Sequence, residues 1–232
     1  DDESKVDQTW YSSTNFAHRV LEDGQPGPSP VEEGFYVNDE KVEPEDDGTV
    51  TLESGSVYHL RGKLDGQVEI VPKISTTVKD FTTIYLDGVN ITTAKEAALL
   101  SEGEEARIAV EISENKENIL TSNLVGELSS TGALHIESDL TLSGNGTLKC
   151  ISVSGHGIKA GDILISGKPN IYVDAEHDGI HGKLVRIAGG TYYIKNANDA
   201  FSAGSKKKTG VLLVSGGDIT VEKRRYNFEN KN

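Results

Sequence analysis

Three polar residues recur at one place in a repeated pattern. His156, Asp178 and Asp199 each stand two residues before an apolar residue, at spacings of 22 and 21 residues. If these positions stack at the separation of hydrogen-bonded strands, the two carboxylates lie about 5 Å apart. Ionised carboxylates at that distance repel unless a cation joins them, and Ca²⁺ takes oxygen ligands at about 2.3–2.6 Å. The sequence therefore predicts a calcium site held by Asp178 and Asp199.

Three neighbouring residues supply further oxygen atoms for this ion, namely Asn198, Asp174 and Glu176. An Asp-Gly pair is also a common turn, in which the carboxylate accepts backbone N–H groups, and this alternative stays open for Asp178. The run from Asp174 resembles the start of an EF-hand loop, but its twelfth position is Val185 rather than Glu. Zinc is disfavoured because no histidine pair has helical spacing and Cys150 is the single cysteine.

Basic and imidazole side chains lie close to the same acidic positions. The candidate contacts for a sugar are Lys159, His181, Lys183 and His156. Lys183, with Lys159 and Arg186 near it, is the candidate base of a lyase, which must remove a proton next to a uronate carboxylate. Acidic surroundings raise the pKa of a lysine and oppose that role.

The elements that position these residues form an internal repeat. The segments that begin at Asp162, Leu184 and Val211 share the pattern apolar-x-apolar-x-Gly, and Gly167 and Gly189 are 22 residues apart. Leu140-x-Leu142-x-Gly144 has the same form, and Ile84-x-Leu86-x-Gly88 is interpreted as a more distant copy. A repeat of this length with short strands and no helix fits one coil of a parallel β-helix.

This repeat predicts which side chains form the core. Those expected to point inward and to stack in columns are Ile163, Ile165, Val185, Ile187, Leu212 and Val214. Those expected to point outward are Leu164, Arg186 and Leu213. The alternative, an antiparallel sandwich, needs tight hairpin turns, and Asn145-Gly146 is the one good candidate for such a turn.

The sequence pattern changes near Thr49, where short alternating apolar segments begin. Residues 1–48 are predicted to be an irregular N-terminal segment or cap, in which Thr9 to Leu21 could form a short helix. Residues 49–229 are predicted to be a β-helix domain of about 22 residues per coil. The lysines at 206–208 are interpreted as a solvated insertion, with contact to an acidic sugar as the alternative.

Composition narrows the possible partners and surroundings. The net charge of −14 disfavours nucleic acid, whose phosphates need cationic contacts. Cys150 cannot form an intrachain disulfide and is predicted to be a small core residue. No apolar run is long enough for a membrane span. The absence of Met at position 1 fits a processed segment and an extracellular, secreted or cell-surface location.

Several motifs resemble one protein family. These motifs are Gly157-Ile158-Lys159, Asp162 to Gly167, Asp178 to Lys183, Leu86 to Thr92 and Asn118 to Thr121. Together they resemble bacterial carbohydrate-binding domain proteins, best known from surface proteins of clostridia and similar polysaccharide degraders. The resemblance covers about 50–221 and implies a right-handed parallel β-helix related to calcium-dependent pectate lyases. It also implies bound calcium and binding of cellulose and of acidic plant polysaccharide such as polygalacturonate.

The sequence departs from that family at the acidic corner. Family members carry Asp-Asp-Gly-Ile on successive coils, whereas this chain has His177-Asp178 on one coil and Asn198-Asp199 on the next. Three functions follow as expectations. The first is a non-catalytic, calcium-assisted module that binds plant cell-wall polysaccharide. The alternatives are a calcium-dependent pectate or polysaccharide lyase, and a structural or adhesive surface element.

Overall fold

The structure is a computed structural model that describes residues 32–73, 81–103, 107–126, 130–205 and 208–224. These residues form strands and no helix. The strands are β1 (Phe35–Val37), β2 (Glu40–Lys41), β3 (Thr49–Glu53), β4 (Val57–Asp65), β5 (Gln67–Val71), β6 (Phe81–Thr93), β7 (Leu99–Ser101), β8 (Arg107–Ile112), β9 (Glu117–Ser122), β10 (Gly132–Ile136), β11 (Asp139–Gly144), β12 (Thr147–Ser152), β13 (His156–Ala160), β14 (Asp162–Ile165), β15 (Asn170–Ala175), β16 (Ile180–Gly182), β17 (Leu184–Ile187), β18 (Thr191–Ala197), β19 (Phe201–Ser205), β20 (Lys208–Thr209), β21 (Val211–Val214) and β22 (Asp218–Arg224).

Most of these strands pair in three parallel ladders. Ladder 1 runs β4-β6-β8-β11-β14-β17-β21. Ladder 2 runs β6-β9-β12-β15-β18-β22. Ladder 3 runs β3-β5-β7-β10-β13-β16-β19. The long strand β6 belongs to ladders 1 and 2 and joins them into one sheet.

The chain visits the ladders in a fixed order. In each of four consecutive passes, from β8 to β19, it lays one strand in ladder 1, one in ladder 2 and one in ladder 3. Leu140 pairs with Ile163 and Ile163 with Val185, so these passes are 23 and 22 residues long, as the repeat predicted. The described part of the chain is therefore all-β and is built mainly from parallel strands.

The side chains that point between the ladders form the core. Val110, Leu142, Ile165 and Ile187 occupy one column of ladder 1, and each is fully buried. Burying an aliphatic side chain of this size stabilises the fold by about 1.5–3 kcal/mol. Cys150 is buried in ladder 2, as predicted, and burial raises the pKa of its thiol.

The last pass departs from the predicted core. Leu212 and Val214 pair with Val185 and Ile187 as expected, but both are 47% exposed rather than buried. In the described part of the chain, β21 is the outermost strand of ladder 1 and has a neighbour on one side. The columns therefore continue into β21 in register, while the side chains there lack a covering layer.

The proposed distant copy at Ile84 is real but two residues out of register. Ile84 pairs with Val110, which pairs with Leu142, so Ile84 corresponds to Leu142 rather than to Leu140. Gly144 ends β11 with a φ of +108°, whereas Gly88 adopts a φ of +98° inside β6. Relative to the paired residues, the glycine in β6 comes two residues later than the glycine in β11. Aligning the two glycines therefore matched Ile84 with the wrong leucine.

The segment 1–48 is not irregular throughout. Within its described part, β1 pairs antiparallel with both β2 and β4 and extends the sheet that contains ladders 1 and 2. The short helix expected between Thr9 and Leu21 lies outside the described residues, as do Lys206 and Lys207 and the Lys208 side chain. Among the described residues, no helix is long and apolar enough to cross a membrane.

Candidate functional site

The polar corner predicted from the repeat lies at the start of the ladder 3 strands. The Gly157 amide donates to the Asp178 carbonyl at 3.1 Å, and the Gly179 amide donates to the Asp199 carbonyl at 2.8 Å. His156, Asp178 and Asp199 therefore occupy successive levels of one column, as the spacing predicted. A Cβ on Gly157 would lie 2.3 Å from Val173 Cγ1, and one on Gly179 would lie 2.6 Å from the Ala200 carbonyl oxygen. The glycines after His156 and Asp178 let the passes approach this closely, whereas Ala200 follows Asp199.

Two histidines meet the Asp178 carboxylate. Asp178 Oδ2 lies 3.3 Å from His181 Nδ1 and 3.7 Å from His156 Nδ1. The two imidazole rings stack with centroids 4.5 Å apart and planes within 13° of each other. His156 is only 3% exposed. Among the described residues, these three side chains place one potential metal-ligating atom each within 4.8 Å of one another. We call this group the His-Asp-His cluster.

Hydrogen bonds fix the orientation of this cluster. The Asp178 amide donates to His156 Nδ1 at 3.1 Å, so that nitrogen is unprotonated when the bond forms. The Asp199 amide donates to Asp178 Oδ1 at 3.3 Å. Burial by itself would raise the pKa of Asp178, but its neighbours outweigh burial and lower the pKa. Those neighbours are, in order of effect, His181, His156, the Asp199 amide and the Ser202 hydroxyl.

The other predicted calcium ligands do not all join this corner. Asp174 lies in β15, where its Oδ1 accepts from Asn196 Nδ2 at 2.8 Å and its Oδ2 lies 3.2 Å from Lys195 Nζ. Glu176 and Asp199 are exposed, and Asn198 is half-buried beside Asp199. The structure thus brings Asp178, Asn198 and Asp199 together, while Asp174 is bound by partners in ladder 2. The Oδ2 atom of Asp178 faces imidazole nitrogen atoms.

A groove of about 400 Å³ opens beside the cluster on the outer side of ladder 3. Its polar lining comes from His135, Glu137, Lys159, His181, Lys183 and Thr209. His135, Lys159 and His181 are direct register partners on β10, β13 and β16, so they form one outward column. Three predicted sugar contacts therefore converge on one groove, while His156 lies behind it in the cluster. Arg186 is exposed on β17 in ladder 1 and does not line the groove.

The pKa of Lys159, the half-buried lysine of this groove, is shifted by its surroundings. Burial lowers the pKa of Lys159, and the charges of Glu137 and Glu96 only partly oppose that effect. Its ammonium donates to the Ser130 carbonyl. Burial also lowers the pKa of His135, whose Nε2 lies 3.1 Å from Glu137 Oε1. Lys183 is exposed, so Lys159 rather than Lys183 has the environment expected of a base.

Sequence reasoning missed His135 and Glu137 as groove residues. The signal was available, because Leu134-His135-Ile136 stands one pass before Ile158-Lys159-Ala160 and shares its alternation. Leu134 and Ile158 are 24 residues apart, so a count of 22 residues does not align the two motifs. Aligning the apolar residues rather than counting 22 would have placed His135 in the outward column.

Comparison with known proteins shows a shared fold and then the family. The fold resembles a solved structure described as the polysaccharide lyase-like protein from C. thermocellum, a gadolinium derivative. The TM-score is 0.66 at 24% identity, over 81% of this chain and 82% of that one. Residues 46–229 match the family model described as carbohydrate-binding domain-containing protein. The chain therefore belongs to this carbohydrate-binding domain family. A search of curated protein sequences gave no match.

Proposed function

We propose that the ladder 3 groove binds an acidic polysaccharide of the plant cell wall, such as polygalacturonate, without cleaving it. The observation that carries the proposal is the convergence of Lys159, His181 and Lys183 on one groove. The chain carries a net charge of −14, and the two lysines of this groove, partly offset by Glu137, reduce locally its overall repulsion of anions. Uronate carboxylates are the sugar groups that lysine ammonium groups recognise.

The shape of the groove also suits an extended chain. Its outward column steps from strand to strand at about 4.8 Å, so neighbouring contacts lie along a line rather than around a point. Tyr192 and Tyr193, the two adjacent tyrosines of β18, offer no flat stacking surface, because Tyr192 is fully buried and Tyr193 is 7% exposed. Polar and ionic contacts, rather than ring stacking, therefore carry the proposed recognition, and neutral cellulose is the weaker ligand.

The complete architecture proposed for this site is a right-handed parallel β-helix. Three parallel ladders visited in constant order support it, because each pass then forms one turn around a shared core. A plant cell-wall ligand places the protein outside the cell or on the cell surface, and that location is part of the same proposal.

Calcium assistance stays a prediction that rests on fewer ligands than expected. Asp178, Asp199 and Asn198 are adjacent, and calcium prefers six to eight oxygen ligands. Asp178 Oδ1 already accepts the Asp199 amide, and Oδ2 faces two imidazoles. Such a donor set fits calcium poorly, so the proposed recognition is assigned to the lysines. Calcium would add affinity only if a glycan supplied the missing oxygen ligands.

The test is calorimetric titration with oligogalacturonate, repeated at several salt concentrations and with calcium or chelator. We expect binding that weakens with salt and falls at least about tenfold in the double variant Lys159→Ala, Lys183→Ala, about 1.4 kcal/mol. Lys168→Ala is the matched control, because Lys168 is exposed outside the groove. Equal binding by the double variant would contradict the proposed site, and loss of all binding in chelator would restore calcium to the central role.

A lyase is the second candidate function, favoured by the lowered pKa of Lys159. A neutral amine there would remove the proton next to the uronate carboxylate, and the glycosidic oxygen would leave with formation of a carbon–carbon double bond. Ultraviolet absorbance of the unsaturated product, lost in Lys159→Ala and kept in Lys168→Ala, would replace the binding module with the lyase.

A further inference from the structure

We propose that His156, Asp178 and His181 form a binding site for a borderline divalent transition-metal ion such as Zn²⁺. One ligating atom from each residue lies within 4.8 Å of the other two. Zinc was disfavoured from the sequence because no histidine pair has helical spacing. Here strand register brings the residues together instead, since His156 and Asp178 occupy adjacent levels of one column.

The distances suit a small tetrahedral ion. Zinc binds imidazole nitrogen at about 2.0–2.1 Å and carboxylate oxygen at about 2.0–2.2 Å, which separates ligand atoms by about 3.4 Å. The distance from Asp178 Oδ2 to His181 Nδ1 is 3.3 Å, and that to His156 Nδ1 is 3.7 Å. Two of the three pairs of ligand atoms therefore already stand near the separation that one ion requires, and the stacked imidazole rings must tilt apart to direct both lone pairs at it.

The Nδ1 atoms of His156 and His181 are both placed to act as metal ligands. His181 Nδ1 is buried and has no hydrogen-bond partner among the described residues, although it faces Asp178. His156 Nδ1 accepts the Asp178 amide and so holds a lone pair, the form that ligates metals. An ion at this nitrogen would replace that hydrogen bond, so zinc binding must release the Asp178 amide from His156.

The donor set also selects the kind of ion. Two imidazoles and one carboxylate suit zinc and its neighbours, whereas calcium prefers oxygen alone. Three protein ligands leave a fourth position for water or another oxygen atom. His181 also lines the groove, so a groove-bound glycan oxygen could take that position. This last step rests on the proposed function, but the metal site itself does not.

The experiment uses the untagged full chain, freed of metal by chelator and titrated with ZnCl₂ at pH 7.5 without glycan. We expect one zinc per chain and a melting temperature that rises with the logarithm of free zinc. Co²⁺ should give the visible absorption of a tetrahedral site. His181→Asn and Asp178→Asn should each weaken zinc binding at least about tenfold.

The matched control is His59→Asn, because His59 Nδ1 lies 2.8 Å from Asp87 Oδ2 in a second histidine–aspartate pair. That pair is not part of the three-residue cluster, so its loss should leave zinc affinity unchanged. Far-ultraviolet circular dichroism without metal verifies that each variant folds. No zinc binding by the wild type, or equal affinity in folded His181→Asn, would overturn the proposal. Because no glycan is present, this result is independent of polysaccharide binding.

Discussion

Two lysines on neighbouring strands of one pass, one buried and one half-buried, have different surroundings. Lys149 on β12 is 4% exposed, and Lys159 on β13 is half-buried. Burial is the largest cause of a lowered pKa in both. Lys149 lies 5.4 Å from the Tyr172 ring centroid and interacts with the buried carboxylate of Glu117, whereas Lys159 lines the open groove. A perturbed pKa therefore marks a structural lysine as readily as a binding one, and access decides between them.

Replacement of the structural lysine should have the largest effect. Lys149→Ala leaves the Glu117 carboxylate buried without its nearby positive charge, and we expect a loss of about 3 kcal/mol in the free energy of unfolding. Urea denaturation measures that loss. Oligogalacturonate affinity of the folded variant should equal that of the wild type. Lys168→Ala, the control, should stay within about 0.5 kcal/mol of wild-type stability. Equal losses of stability in Lys149→Ala and Lys168→Ala would show that Lys149 has no special structural role.

Replacement of the groove lysine should show the opposite pattern. Lys159→Ala should weaken oligogalacturonate binding about tenfold, or about 1.4 kcal/mol. Its free energy of unfolding should change by less than about 1 kcal/mol, because the groove gives this ammonium access to water. Calorimetry and urea denaturation on one preparation measure both quantities. A variant that loses stability and keeps full affinity would show that Lys159 is structural too.

The smallest effect concerns pH and Glu117. Burial raises the pKa of Glu117 above its ordinary 4.5, while the Lys149 charge opposes part of that rise. The folded state therefore holds this proton more tightly than the unfolded state, so stability falls as pH rises from about 4.5 through the folded-state pKa. Thermal unfolding of Glu117→Gln between pH 4 and 8 should lack this fall. An unchanged pH profile would show that Glu117 does not titrate differently on folding.

Much of the fold could be predicted because the repeat is regular where the passes are short. The apolar columns through Ile163 and Ile165 follow from spacing alone, and the structure confirms their register with Val185 and Ile187. Exposure of Val214 could not be predicted, because burial depends on whether another layer covers a strand. The alternation of side chains along a strand is the same in both cases.

The position of the site could be predicted from the sequence, but the contacts between its side chains could not. Spacing placed His156, Asp178 and Asp199 in one column, and the structure confirms this. It could not show that His181 turns back toward Asp178, three residues before it, or that its ring stacks on His156 of the preceding pass, because side-chain orientation at a bend does not follow from spacing. Motif rules for zinc rest on short fixed spacings between ligands, and ligands gathered by stacked strands do not follow those spacings.

The corner column has a consequence for how such a protein changes over evolution. Its successive levels carry Gly132, His156, Asp178 and Asp199, yet backbone hydrogen bonds join the levels whatever the side chain. Each level can therefore change its side chain without unpairing the strands, and what a substitution removes is the side-chain bond to the next level, such as that from the Asp178 amide to His156 Nδ1. Substitutions at single levels can therefore change the affinity for an ion or a sugar, while the strand pairing of the three ladders stays the same.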